Sequence, residues 1–202
     1  MSQPINARGL CYLSRMTVPA PPTILEFLAT WAKEQHIIKR SRIPTEKKML
    51  AAIMCSSGYT SRDASKILGG ISHVAVHDAF KSVTAALPSL VKKRRLVSIE
   101  ENMVYLNPET QSVVWLARDA DSGEILSFKC SVTGALPDQK RFIDTVLASC
   151  TERPLLRVGR GPNFPKSLTS LDLYFQIDTT PVNPTFRQRI TSFFLGAPDA
   201  RE

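Results

Sequence analysis

Apolar residues recur at helical spacing up to about residue 90 and at strand spacing in the next 40, so the pattern changes period once along the chain. In "TILEFLATWAKEQH", Ile24, Leu25, Leu28 and Trp31 fall near one face of a helix that starts just after Pro19, Pro21 and Pro22. Pro44 and Thr45 open "TEKKMLAAIMCSSG", with Leu50, Ile53 and Met54 apolar and Gly58 as its stop. Thr60 or Ser61 caps a short helix, "SRDASKIL", Gly69 and Gly70 form a turn, and Ser72 caps "HVAVHDAFKSVTAAL", which ends before Pro88. "RLVSIEENMVYL", "QSVVWLARDA" and "GEILSFKCSV" then read as three successive strands, with "DSG" as a tight turn between the second and third. "DQKRFIDTVLASC" is an amphipathic helix, "PLLRV" a short buried strand, "NFPKSLTSL" a helix, "LYFQID" a strand and "TFRQRITSFF" a last helix. The predicted class is α+β: an all-helical part at 23–91, then β-β-β-α-β-α-β-α at 92–202, preceded by an arm at 1–22. "LVKKRRL" joins the two parts as a linker or as the basic edge of the first strand.

"TSRDASKILGGISHVAVHDAFKSV" has the mechanics of a helix-turn-helix. The small residues Ala64 and Ser65 permit close crossing, Ile67 and Leu68 pack, and Val74 and Val76 are expected to face inward from the second helix. That helix then presents Ser72, His73, His77 and Lys81 to a major groove, while the first offers Thr60 and Arg62 to phosphates. The turn "GGIS" is one residue longer than the commonest form, which alters how the second helix is aimed. His73 and His77 stand at i, i+4, also a zinc spacing, but Asp78 is the one acid beside them and points elsewhere, so they read as surface or DNA-facing. The blander reading of the same stretch is a helical bundle with solvated charges.

Charge sharpens the picture. Of the formal +8, residues 1–96 hold fifteen Lys/Arg against five Asp/Glu, net +10, and residues 97–202 hold eleven against thirteen, net −2. A basic first half beside a near-neutral second half points to nucleic acid as the partner. The run Lys92, Lys93, Arg94, Arg95 is expected to add phosphate contacts. The four cysteines, Cys11, Cys55, Cys130 and Cys150, make no CxxC pair and no zinc spacing, and read as reduced thiols. No apolar run reaches membrane-spanning length, and the first 22 residues lack the apolar core of a signal peptide, so they read as a flexible arm. Neither a membrane nor a small-molecule substrate is expected.

The segments "VSIEENMVYL", "SVVWLARDADSGEILSFKCS", "RFIDTVLASC", "PLLRVGRGPNFPKSL" and "NPTFRQRITSFF" together resemble the RNase H/integrase-like domain of insertion-sequence transposases of the DDE type. "WLARDADSGEILSF" is the most specific piece, with a Trp-bearing strand, an Asp-rich turn and an outgoing apolar strand. The resemblance runs over about residues 45–195 and takes in the helix-turn-helix. It implies three carboxylates holding two divalent metals, usually magnesium, which activate the attacking oxygen and stabilise the leaving one. The first acid belongs to a "DE" pair on the first strand, and here that pair is Glu100-Glu101, with Glu100 in the aspartate's place. The second belongs to a turn after the fourth strand, where "GRGPNF" puts Gly159, followed by Arg160. The third belongs to the last helix, where "NPTF" puts Phe186.

By this resemblance the triad positions Glu100, Gly159 and Phe186 are degenerate, with Arg157 and Arg160 repelling metal, so no catalysis, bound metal or other cofactor is expected. The protein is expected to be a transposase-derived DNA-binding protein, a regulator, architectural protein or remnant. It is expected to work as a homodimer in a prokaryotic cytoplasm, associated with the nucleoid. Two alternatives stand beside it. One is an active DDE transposase requiring Mg2+, for which Glu100 or Glu101 with Asp119 and Asp178 is the one set that can be assembled. The other is a protein-interaction module that uses the integrase-like fold as a dimer platform.

Overall fold

The computed structural model describes residues 23–39, 41–159, 164–170 and 172–177. The expected N-terminal arm and the last helix, which includes Phe186, lie outside these residues. Within them the chain is mixed α and β, with six helices and one five-stranded mixed sheet. The helices are α1 (Ile24–Glu34), α2 (Thr45–Ser56), α3 (Ser61–Leu68), α4 (His73–Ala85), α5 (Leu136–Leu147) and α6 (Phe164–Ser170). The strands are β1 (Leu96–Asn107), β2 (Thr110–Asp119), β3 (Ile125–Ser131), β4 (Leu155–Val158) and β5 (Phe175–Ile177). Each lies where the periodicity placed it, within a few residues.

The sheet order is β3-β2-β1-β4-β5. The first three strands form an antiparallel meander, and β4 and β5 then add parallel to β1 after crossovers that carry α5 and α6. Parallel neighbours need such crossovers, whereas the β2–β3 link is the short turn that "DSG" predicted. The side chains of β2 divide between two cores. Val114 and Leu116 join the core formed with α1–α4, and Trp115 and Ala117 join the core formed with α5 and α6. On that second face Trp115, Phe142 and Phe164 pack as a ring cluster, with centroids 5.7–6.3 Å apart. The indole Nε1 of Trp115 is not left orphaned, because it donates to Glu101 Oε2 at 2.9 Å.

The helical half centres on α2, whose residues 48–54 are all buried. A helix buried on every side is a central one, and α2 touches α1, α3, α4 and β3. Its last residue and the one after it also seal the sheet. Ser56 Oγ donates to the carbonyl of Phe128 at 3.1 Å, and Ser57 Oγ accepts from the N–H of Cys130 at 2.7 Å. These two hydroxyls take the place of a neighbouring strand on the β3 edge, a position otherwise open to pairing with another chain. α1 is tied down similarly: a Thr23–Glu26 capping box starts it, and the Ile24 N–H donates to Asn102 Oδ1 on β1 at 2.9 Å. The helices and one sheet face therefore share a single hydrophobic core.

That shared core is expected to make the two halves unfold together. We expect Phe128→Ala, beneath the helices, to cost about 3–5 kcal/mol. Helix loss by circular dichroism should coincide with Trp115 fluorescence in a Trp31→Phe background during denaturation. Two separated transitions would show that the helices and the sheet are independent cores.

Candidate nucleic-acid interface

α3 and α4 are held in a fixed relation by the turn between them. Ala64 and Ile71 are buried, and Ser65 Oγ donates to the Ile71 carbonyl at 2.6 Å. Gly69 and Gly70 have φ of +58° and +55°, which a side chain would strain. A Cβ at Gly70 would also meet Lys47 Nζ at 3.3 Å, so the end of that α2 lysine lies against the turn.

Thr60 and Ser72 are the N-caps of α3 and α4. Thr60 Oγ1 accepts from the Asp63 N–H and donates to Asp63 Oδ2 at 2.6 Å, so its hydroxyl is already committed. Ser72 Oγ accepts from the Ala75 N–H at 3.2 Å and keeps its own proton to donate. Arg62, His73, His77 and Lys81 are exposed, and His73, His77 and Lys81 lie along one side of α4. Val76 is buried as expected, but Val74 is 55% exposed, a correction that follows from the helix itself. Residues two apart lie on nearly opposite faces, so Val74 and Val76 cannot both point inward. Val74 stands with the histidines as an apolar element of the exposed face.

The basic run is different from what its composition suggested. Every member meets a carboxylate: Lys92 with Glu124 at 3.2 Å, Lys93 with Glu152 at 2.9 Å and Arg95 with Asp121 at 2.8 Å. Arg94 meets both Asp119 and Glu124 at 2.9 Å and is only 4% exposed, so as a phosphate contact it is corrected to a buried structural cation. The run is not a free linker either, because Lys92 bridges to Cys150 and the Arg95 carbonyl accepts from the Leu155 N–H. Lys93 and Arg95 remain exposed, and surface pairs of that kind are weak enough to exchange for other anions. Burial opposes ionisation of Asp119. The N–H of Asp121, Arg94 and the Ser122 groups outweigh it and hold the carboxyl below its ordinary range. Glu124 is likewise disfavoured by burial but held low by Lys92 and Arg94.

The expected acid positions come together on the sheet. β1 and β4 run parallel with Ile99 beside Val158, so Glu100 and Gly159 each follow the last paired residue on adjacent strands. Gly159 is exposed, and a Cβ there meets nothing within 4 Å. Glu100 is ion-paired to Arg118, whose guanidinium lies 4.6 Å over the Phe27 ring. Ser98 has Arg118 as its partner on β2 and Arg157 on β4, and the Nε of each arginine is buried without a hydrogen bond. Arg118 lies within "WLARDADSGEILSF" but no role was read for it there, and Phe27 was not singled out; the ion pair across β1 and β2 and the packing of α1 on the sheet reveal them. Among the described residues no group of three or more His, Cys, Asp or Glu side chains is placed to hold a metal ion. Asp119 caps its own turn, accepting from the N–H of Asp121 and Ser122, in line with its turn-forming reading. Asp178 and Arg160 lie outside the described residues.

No family model matches the chain. It is 28% identical over 165 residues to an uncharacterised protein of Methanocaldococcus jannaschii, covering 80% of this chain and 75% of that one. Among solved structures it is distantly similar to a chain of a simian T-cell lymphotropic virus intasome in complex with PP2A regulatory subunit B56 gamma. That likeness has a TM-score of 0.37 and 12% identity over 71% of this chain, which spans 64% of the other. Among the described residues no helix is long and apolar enough to cross a membrane.

Arg94→Met is expected to cost about 3 kcal/mol, since it strands the buried Asp119 without its cation and leaves Glu124 with Lys92 alone. Because both carboxyls are held low in the fold, their contribution is fully present at neutral pH and is lost as pH falls from about 4 through the lowered values. Urea unfolding at pH 7 and in that acid range should show a smaller acid loss in Arg94→Met than in the wild type.

Proposed function

We propose that the protein is a transposase-derived DNA-binding protein whose helix-turn-helix is α3–α4 and whose RNase H-like sheet no longer carries a metal-binding carboxylate triad. The observation that carries this reading is the solvent face of α4. His73, Val74, His77 and Lys81 are exposed together on a helix whose other side is locked into the core. Arg62 at the start of α3 and Lys47 at the turn supply cations beside it. That is the distribution a recognition helix needs, with base-reading side chains on one face and phosphate-binding cations around it. The succession β-β-β-α-β-α-β, with β4 returning parallel beside β1, supports the RNase H-like reading.

Loss of catalysis is supported by what surrounds Glu100. In a working site this carboxylate would share a metal with a second acid on β4. Here it is ion-paired to Arg118, and the residue after the last paired position of β4 is Gly159, which has no side chain. DNA binding by α4 calls for no metal. We place the protein on DNA as a homodimer, since a helix-turn-helix reads paired half-sites through two-fold symmetry. Within the shared core we assign recognition to the residues before 92 and the scaffold to those from 92 on.

Fluorescence anisotropy on duplex DNA over a series of salt concentrations tests the reading. Affinity should fall steeply with salt, and Arg62→Ala and Lys81→Ala should each reduce the log–log slope by about 0.9. His77→Ala should change the sequence preference more than the slope. No nicking of supercoiled DNA is expected with Mg2+ or Mn2+. Metal-dependent nicking that disappears in Glu100→Gln would restore the enzyme reading, and salt-independent absence of binding would leave a protein-interaction role.

A further inference from the structure

Beside α4 lies a cavity of about 420 Å³, between the loop that joins α1 to α2 and the C-terminal half of α4. Lys39, Ser41, Lys48, Asp78, Lys81 and Ser82 supply its polar lining. Lys48 is its unusual member. It stands on the central helix α2, is only 7% exposed, and donates to the Lys39 carbonyl at 2.8 Å. No carboxylate pairs with it among the described residues. A lysine head has three donors, and a neutral carbonyl uses one of them while cancelling none of the charge. A buried cation without a counter-ion is costly, and proteins normally pair it. Lys39 and Lys81 add two further cations against the single carboxylate of Asp78, so the cavity has an excess of positive charge. Ser82 adds a hydroxyl donor.

We infer that this cavity is a binding site for a phosphate group, held by Lys48 from below and by Lys39, Lys81 and Ser82 around it. Phosphate fits the demand because it brings up to two negative charges and several acceptors to converging N–H and O–H donors. The cavity is larger than one phosphate, so it has room for the sugar or second phosphate of a phosphate compound, and Ile38, Ile43, Ala75 and Ala79 supply an apolar wall beside the cations. The site does not depend on α4 reading DNA: its anion is either a free phosphate compound or a phosphodiester of nucleic acid lying along α4.

Titration of the full chain with pyrophosphate, read by calorimetry and by thermal stabilisation, tests the site without DNA. Wild type should bind. Lys48→Met, which keeps the buried stem and removes the charge, should weaken binding by at least about tenfold. Ser82→Glu, an acid placed at the exposed rim, should do the same without touching the core, so the test survives if Lys48→Met folds poorly. Lys140→Ala, on the exposed side of α5, should match wild type. Duplex DNA then separates the sources. If DNA occupies the cavity, pyrophosphate competes with it and Ser82→Glu weakens DNA binding; if the ligand is a free phosphate, pyrophosphate binding is lost in Ser82→Glu while DNA affinity stays at the wild-type value apart from the general effect of one added acid. Pyrophosphate binding that is absent in wild type, or unchanged in both variants, overturns the proposal, whatever α4 does with DNA.

Discussion

The alternation of side chains along β2 is the constraint on which the rest of the molecule depends. Trp115 and Leu116 are both fully buried, yet they serve different cores. A slip of one residue in the pairing with β1 would send the indole under the helices and the leucine into the ring cluster, emptying one core and overfilling the other. With the register set, β1 follows through its antiparallel pairing, β4 is placed against the far side of β1, and α1–α4 find a prepared apolar face. A sheet covered on both faces also explains why β2 carries the apolar run VVWLA and why β3 is buried along nearly its whole length.

Charge in this protein acquires its meaning from what it faces. The densest basic run lies across the start of the sheet, where acids from the β2–β3 turn and from the segment after α5 meet it one by one. Arg94 goes furthest, binding the turn that Asp119 shapes and leaving the solvent altogether. The scattered lysines and arginines of the helical half are sparser in sequence, but among the described residues several form no ion pair. The net positive charge of the first half is therefore expressed around α4 and the α1–α2 loop, not at the junction where it is most concentrated in the chain. A local excess of this kind raises the concentration of anions and steers their approach.

The proposed scaffold role has a physical basis at the same junction of strands. Parallel neighbours β1 and β4 carry Glu100 and Gly159 just past their last paired residues, Ile99 and Val158. Here one position has no side chain and the other is held by an arginine stacked on Phe27. Such an arginine stabilises the sheet face while it removes the negative charge a hard cation requires.

Element order and type were legible in the sequence because helices and strands differ in the period of their apolar positions, and because Thr23, Thr60 and Ser72 are local caps whose bonds span three residues. The positive-φ glycine turn between α3 and α4 and the Asp119 turn were legible for the same reason: their causes lie within a few residues of one another. Long-range partners were not. Helical period excluded Val74 and Val76 from both facing inward, but not which of the two the core would take, and that was decided by packing. Lys48 was not singled out in the sequence, because a lysine beside a second lysine at the start of a helix reads as solvated. Pairing of "KKRR" with acids 25 to 59 residues away, the approach of Arg118 to Glu100 and the burial of Lys48 were decided only when the sheet brought distant segments together. Local chemistry determines backbone form, whereas the environment of a charge is a property of the whole packed chain.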